Sequence, residues 1–506
     1  MSQEPIRGTT LLVSQSSMSG ILRLVNVMIL SRLLLQSQMG QIALLAVIYG
    51  YMQFLGTAGL NHAAPYFVSR FSEQKALGEI RGFLSKSIGV VISISFGLAA
   101  ILFLISPLLA DSGFLGFDLI LLIATIGPFA ALASFLDSFL LGRYEIKPLV
   151  FSRLVFDFLR VILSIGLVLS GIGVIGVLYA WIIGEVAAVI LFYAFSSRNL
   201  PKTKTAVKFS PILAFALPSL VFQTIDVTIQ NTDRIILLSV TNLTSLGVYD
   251  VLLSVLFMLS FFSLAVSTAI YPFLTRLFMR NEMNQDENAP SEYSVKLLTR
   301  YLLIFLMPVG ITLALNSHLA LSVLFGPGYA DFADASFSFS ILSVSYILWG
   351  VTYSFHTSLR SLGEKRFFWI VGIGIILSEI ILCWYLTLWL GLLGCALVRA
   401  GYIIVLFLTA WKRLIVRGIS PFQGMRSTFL RIIPSSILIG MLPIVLNPPN
   451  LLVLGGILLL GILLYFILLL VSREFKPKDF ELAAHVLPRK LHGYLNQIEH
   501  IIWKND

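Results

Sequence analysis

Long apolar runs follow one another along almost the whole chain, and this feature restricts the fold more than any other. Each has about 20 residues, the length that a helix needs to cross the hydrocarbon core of a bilayer. Only 12% of the residues are charged, about half the share in soluble globular chains. The sequence therefore predicts an all-α polytopic membrane protein and disfavours a soluble enzyme, a disordered chain or a nucleic-acid-binding domain. We place fourteen transmembrane helices at residues 11–35, 42–66, 84–108, 117–141, 149–170, 174–196, 211–238, 245–273, 298–325, 334–358, 367–390, 393–411, 428–446 and 450–471.

Basic residues are distributed unevenly between the two sides of the membrane that these spans define. Lys and Arg fall almost entirely in the loops and the tail on one side, whereas Arg32 and the acidic pairs Asp111/Asp118 and Asp331/Asp334 fall on the other. Cytoplasmic segments carry the excess of Lys and Arg in membrane proteins. We therefore predict a multi-pass protein of the cell (cytoplasmic) membrane with both termini in the cytoplasm.

An internal repeat becomes visible when the sequence is shifted by 207 residues, the separation of Gly40 and Gly247. The run at 24–41 then falls on the run at 231–248. The two copies enter the membrane from the same side, which is typical of a parallel repeat about an axis along the membrane normal. We expect two six-helix lobes related by a pseudo-two-fold axis, with a cleft between them and alternating access by rocking.

The repeat divides the chain into four parts. Residues 1–208 form the predicted N-terminal lobe with helices 1–6, and residues 209–415 form the C-terminal lobe with helices 7–12. Residues 416–472 form two extra helices outside the symmetric pair. The tail, 473–506, has apolar residues at helical spacing after a basic start, which predicts an amphipathic helix on the cytoplasmic surface or against the protein's own loops.

Several motifs, in a fixed order, resemble those of the Wzx-type polysaccharide transporters. The run at 29–71 resembles their first two helices, and the run at 218–255 has an intramembrane Asp and a Gly-x-Tyr that opens the next helix. The segments 269–278 and 321–342 also fit, the latter through a Phe-Gly-x-x-Tyr before the tenth helix. These transporters belong to the multidrug/oligosaccharidyl-lipid/polysaccharide (MOP) exporter superfamily.

The resemblance covers nearly the whole chain and implies a flippase with fourteen helices and a V-shaped pair of lobes. Its substrate would be a lipid-(pyro)phosphate-linked oligosaccharide, moved from the cytoplasmic to the outer leaflet for cell-surface polysaccharide or glycan assembly. The implied partners are this lipid-linked substrate, membrane lipids and glycan assembly proteins, with no nucleic acid. The oligomeric state is not predicted.

Arginines within the spans are candidates for substrate binding, because a charge in hydrocarbon costs several kcal/mol, about 3 or more. Guanidinium stays ionised and can hold phosphate oxygens with two hydrogen bonds, which suits an anionic lipid pyrophosphate. The predicted cationic cleft consists, in order of preference, of Arg23, Arg234, Arg399 and Arg160. The alternative to substrate binding is that these arginines form ion pairs within the protein. Arg160 would then pair with Asp157, and Arg234 would pair with Asp226 or Asp250.

Acidic and aromatic residues in the spans are further candidates. A carboxylate inside the membrane can bind and release a coupling proton or sodium ion, or it can serve as an ion-pair partner for an arginine. The residues concerned are Asp226, Asp233, Asp250 and Glu185. In the tenth span Trp349, Tyr346 and Tyr353 are candidates for stacking on sugars, although packing in the protein is the better explanation.

Two other functions compete with the flippase hypothesis. An ion-coupled multidrug antiporter of the same superfamily would share the lobes but would favour an acidic cleft. A membrane enzyme of glycan assembly would need a large external loop with catalytic groups, and the outer loops are short. We find no catalytic set, no nucleotide-binding loop and no metal-binding spacing, and we expect no cofactor. The intramembrane arginines favour an anionic substrate.

Overall fold

The computed structural model describes residues 3–111, 113–203, 205–284, 289–448, 451–477 and 479, and every regular element among them is a helix. The helices are α1 (Gln3–Leu33), α2 (Gln36–Gly56), α3 (Leu60–Glu73), α4 (Leu77–Asp111), α5 (Phe117–Gly142), α6 (Ile146–Leu169), α7 (Val174–Ser197), α8 (Ser210–Val240), α9 (Leu243–Asn284), α10 (Ala289–Leu315), α11 (Ser317–Phe325), α12 (Pro327–Ala330), α13 (Ala335–Ser361), α14 (Lys365–Val416), α15 (Arg426–Leu446) and α16 (Leu451–Val471). The predicted tail helix falls beyond residue 479, outside the described residues.

Twelve of the described helices are long and apolar enough to cross a membrane, so the prediction of an all-helical multi-pass membrane protein is confirmed. The count treats α14 as one helix, although Gly391 interrupts it with a non-helical backbone. The count also leaves out α6, which is 24 residues long, because the charged residues Arg153, Asp157 and Arg160 lie in its centre.

Two of the predicted spans are not single helices. A turn that contains Gly59, with a left-handed φ of 76°, divides the run at 42–66 into α2 and α3. The run at 298–325 is broken at Asn316, whose side-chain amide donates a hydrogen bond to the carbonyl of Gly440 at 2.7 Å. Hydropathy alone does not detect such breaks, because the residues on both sides remain apolar.

The helices form two groups that pack mainly within themselves. In the first group, α1–α7, α5 contacts α2, α3, α4 and α7, while α6 packs against α1 and α7. In the second group, α8–α14, α13 contacts α9, α10 and α14, and α14 packs against α8. The last two helices join the outside of the second group, since α15 packs on α10 and α16 on α15.

The two groups meet where α2 crosses α9. A Cβ on Gly247 would lie 2.7 Å from the backbone nitrogen of Gly40, and a Cβ on Gly40 would overlap the backbone of Leu243. Small residues at a crossing let two membrane helices approach closely. We call this contact, formed by Gly40, Leu243 and Gly247, the glycine crossing; Gly40 and Gly247 are the residues that the 207-residue shift superposes.

A second contact between the groups joins α3 to α8. The rings of Tyr66 and Phe215 stack with centroids 5.1 Å apart, and the Asn61 amide donates a hydrogen bond to Gln223 at 3.3 Å. Phe215 lies near the start of α8, whereas Gly247 follows its end. The two contacts are therefore at opposite ends of the seam between the groups.

Candidate functional site

Arg23 lies on α1 within this seam. Its side chain is exposed, and it forms no ion pair or hydrogen bond with a described residue. The charged groups that act on it come from both helix groups: Asp157 and Arg160 on α6, Arg234 on α8 and Asp250 on α9. An exposed guanidinium with charged neighbours from both sides lies in a space between the groups, where a ligand or water can reach it.

Arg160 occupies the first-group side of the same space. Its guanidinium carbon is 4.1 Å from the ring centroid of Trp181 and 5.6 Å from that of Tyr49, which are cation–π distances. The ion pair with Asp157 that their spacing suggested does not form. Asp157 instead accepts a hydrogen bond from the hydroxyl of Ser19 on α1, and no carboxylate of a described residue pairs with the N–H groups of Arg160.

Arg234 reaches the seam from the second group but is held by its own neighbours. It is 8% exposed, and its guanidinium contacts Asp250 on α9 at 2.7 and 2.8 Å. It also donates to the carbonyl of Gln230 at 3.0 Å and to Asn231 at 3.1 Å. Of the two acids considered for it, Asp250 is therefore the partner, and Asp226 remains exposed to the seam.

Arg399 lies in the core of the second group. It is 2% exposed, forms an ion pair with the fully buried Asp233, and donates to the hydroxyl of Tyr346 at 3.2 Å. The Tyr249 hydroxyl donates to the same carboxylate at 2.6 Å, as does the backbone N–H of Arg234 at 2.8 Å. Within this buried cluster Arg399 and Asp233 pair with each other, and Tyr346, which is 1% exposed, has no face open to a sugar.

A polar cavity of about 340 Å³ lies inside the first group, between α1, α2, α5, α6 and α7. On its wall Arg153 contacts Asp137 at 2.6 and 2.8 Å and donates to Gln15 at 3.1 Å. The Gln15 amide donates to Ser19 at 2.7 Å, and Ser19 donates to Asp157. A continuous chain of hydrogen bonds thus links two carboxylates across three helices.

Glu185 faces the same cavity and accepts a hydrogen bond from the hydroxyl of Tyr49. Glu185 was predicted from the sequence, whereas Gln15 and Ser19 were not. The signal for them is the polar stretch at 14–19, which interrupts the first apolar run. Among the described residues, no group of three or more His, Cys, Asp or Glu side chains could hold a metal ion.

Solved membrane transporters have a similar fold. The chain aligns with a lipid II flippase, MurJ, in an inward closed conformation at a TM-score of 0.71 and 16% identity, covering 90% of this chain and 97% of that one. It aligns with an inward-facing multidrug resistance transporter of the MATE family, of the MOP superfamily, at 0.63 and 15% identity, covering 81% and 98%. An outward-facing MATE transporter gives 0.57 and 16% identity, with 82% and 96% covered. At sequence identities this low, the comparison shows only that the folds are similar.

A match between the sequence and a family model identifies the family of this chain. No curated protein matches the chain. A family model described as polysaccharide biosynthesis protein matches residues 29–334, which is more than half of the chain and includes the segment with Arg23's neighbours Asp157, Arg160, Arg234 and Asp250. The chain therefore belongs to this family of polysaccharide biosynthesis proteins.

Proposed function

We propose that this protein is a flippase that moves a lipid-(pyro)phosphate-linked oligosaccharide from the cytoplasmic to the outer leaflet by alternating access, for cell-surface polysaccharide or glycan assembly. The observation that carries the proposal is the exposed, unpaired guanidinium of Arg23 in the seam between the two helix groups. A charge at membrane depth is costly unless it has a partner or water. Arg23 has no ion-pair or hydrogen-bond partner among the described residues, which leaves water or the substrate as its partner. Family membership and the MurJ-like fold support the same function.

The arginines would act in different ways. Arg23 and Arg160 have N–H groups that no carboxylate occupies, and we propose that they bind the pyrophosphate oxygens. Arg234 contributes positive charge beside them while Asp250 fixes its position. Arg399 supports the site from within the core, because it holds Asp233 and thereby the backbone of α8 at Arg234. Of the four predicted substrate ligands, we therefore assign a supporting role to Arg399.

The seam contacts would serve as the two gates of alternating access. In the predicted orientation the glycine crossing lies at the outer end and the α3–α8 contact at the cytoplasmic end.

Gly40 and Gly247 meet although 207 residues separate them, and matched residues meet only near a two-fold axis, which supports two lobes at 1–208 and 209–415. We propose that α6 and the two parts of α14 also cross the membrane separately, which would add two spans to the twelve and give fourteen.

The second candidate function is that of an ion-coupled multidrug antiporter. The observation in its favour is the first-group cavity, where Asp157 and Glu185 accept hydrogen bonds from neutral hydroxyls and have no arginine within ion-pair distance. A cation could bind there. We propose that these two carboxylates bind the coupling ion, whereas Asp233 and Asp250 serve as ion-pair partners of Arg399 and Arg234.

A flipping assay in proteoliposomes tests the proposal. At equal protein content, we expect Arg23→Gln to reduce the rate of flipping of lipid-linked oligosaccharide at least tenfold. The reason is that an uncharged amide cannot hold the pyrophosphate. Arg426→Gln is the matched control, since Arg426 is exposed at the start of α15, which packs on α10 outside the seam. An unchanged rate for Arg23→Gln would refute the assignment. Export of a lipophilic cation against a proton or sodium gradient, without flipping, would favour the antiporter.

A further inference from the structure

A larger cavity, of about 700 Å³, lies in the second group between α8, α13 and α14. Its size is within the usual range for small-ligand sites. Aromatic rings cover much of its wall, with Trp349 and Tyr353 on α13 and Phe367 and Phe368 on α14. Neither Arg23 nor Arg160, which we assign to the pyrophosphate, lines it.

The cavity extends along the axis of α13. Arg360, which is exposed near the end of α13, and Trp349 both line it. They are eleven residues apart, or about 16 Å along a helix axis. This is long enough for a few sugar units but far too short for a polyprenyl chain.

The cavity borders the seam. A neighbouring cavity of about 390 Å³ is lined by His62 on α3 and by residues of α8. Three α8 residues, Ser219, Asp226 and Gln230, line both cavities. A ligand in the seam between α3 and α8 therefore has the aromatic cavity directly beside it.

The rings in the cavity are fixed by one another. Trp349 packs at 5.2 Å from Tyr353 with an interplanar angle of 66°, and at 6.4 Å from Tyr402 with 87°. Phe367 and Phe368 are 5.3 Å apart at 84°. Edge-to-face pairs of this kind are stable arrangements, so the walls are preformed and a ligand does not have to order them.

Polar atoms on the wall lack partners. The Nε2 atom of His356 is buried without a hydrogen bond, and the Asp226 carboxylate has no ion pair or hydrogen bond among the described residues. A buried polar atom without a partner, such as the His356 nitrogen, is unfavourable until a ligand or water pairs with it. A hydroxyl group can donate to a carboxylate and can either donate to or accept from an imidazole nitrogen, whereas a hydrocarbon tail satisfies neither.

We infer that this cavity binds a sugar unit of the lipid-linked glycan. The C–H groups on one face of a pyranose ring carry partial positive charge and stack on the negative face of an aromatic ring. Trp349 and Tyr353 would supply that face, and His356 and Asp226 would bind hydroxyls. The inference rests on the proposed function: the pyrophosphate is held at Arg23 and Arg160, while the cavity recognises the glycan.

Binding measurements on the full chain in nanodiscs test the inference. Three fluorescent polyprenyl pyrophosphates serve as probes. The first carries no sugar, the second carries one neutral hexose, and the third carries a short neutral oligosaccharide. We expect Trp349→Leu and His356→Leu to raise the Kd of both sugar-bearing probes about tenfold and to leave the Kd of the sugar-free probe unchanged. Trp349→Phe, which keeps a ring, should cause a smaller loss. Trp389→Leu is the matched control, because Trp389 is 74% exposed on the surface of α14.

The outcomes separate the sugar site from the flippase proposal. Equal losses for all three probes would mean that the cavity takes the lipid, and no loss in either variant would mean that it takes nothing; both results overturn the inference. Arg23→Gln should weaken all three probes alike. If the wild type binds none of them, the proposed function fails, and the sugar site fails with it.

Discussion

Arg23 and Arg399 are both arginines at membrane depth, yet their surroundings are opposite. Arg23 is exposed in the seam and has no partner in the described part of the chain, whereas Arg399 is 2% exposed and bonded to Asp233 and Tyr346. A buried ion pair is coupled to folding, because the loss of one partner leaves the other charge unpaired. An unpaired charge beside a cleft contributes little to folding and remains free for a ligand. The surroundings of an intramembrane charge, more than its presence in a span, therefore indicate whether it binds substrate.

The largest effect on stability is expected at the buried cluster. Arg399→Met would leave the Asp233 carboxylate buried without its cation, and we expect the free energy of unfolding to fall by about 3–5 kcal/mol. Thermal unfolding in detergent measures this loss. The double variant Arg399→Met/Asp233→Asn should recover much of it, because the unpaired charge is gone. A single variant as stable as the wild type would remove the distinction between the two arginines.

A smaller effect is expected at the glycine crossing. Gly247→Leu would force α2 and α9 apart, since even a Cβ at Gly247 meets the backbone of Gly40. We expect a loss of about 1–3 kcal/mol, the usual cost of overpacking. Gly374→Leu is the matched control, because nothing lies within 4 Å of a Cβ there. Equal stability of the two variants would contradict the close approach of the two helix groups.

A third prediction concerns an ion pair outside the membrane. Burial alone would raise the pKa of Glu364, but hydrogen bonds and charges from Arg413 and Arg417 lower it overall. A lowered pKa stabilises the folded state above the ordinary Glu value near pH 4.5, and this contribution is lost as the pH falls through the folded-state pKa. Because both arginines are over one-third exposed, we expect Glu364→Gln to cost about 1 kcal/mol or less at pH 7.

The pH dependence of unfolding checks this third prediction. The difference in stability between wild type and Glu364→Gln should shrink as the pH falls below about 4. A difference that stays constant across this range would show that the carboxylate charge is not its cause.

The smallest effect on stability is expected at Arg23 itself. Arg23→Gln removes no described ion pair or hydrogen bond, so the free energy of unfolding should change by no more than about 0.5 kcal/mol. Thermal unfolding of the same preparations that are used for flipping measures it. A loss as large as that of Arg399→Met would show that Arg23 is a structural residue.

Hydropathy and charge were sufficient to predict the helical membrane fold, because the length of an apolar run and the cost of charge in hydrocarbon depend little on tertiary structure. Ion-pair partners were less predictable. The spacing of Asp157 and Arg160 put both on one helix face, but Ser19 on α1 and Trp181 on α7 offered each a different partner. Which acid pairs with Arg234, and which arginine is buried, depends on packing between helices that are far apart in sequence.

Thiol labelling at position 23 tests the central claim most directly. In a chain with Cys383→Ala and Cys395→Ala, a cysteine placed by Arg23→Cys should react with a charged, water-soluble methanethiosulfonate, because thiolate forms only where water reaches it. A cysteine placed by Leu459→Cys, on the exposed surface of α16, should face lipid and stay unlabelled. Labelling of position 23 alone is the predicted result. Failure of position 23 to react in the membrane would contradict a water-filled passage between the two helix groups.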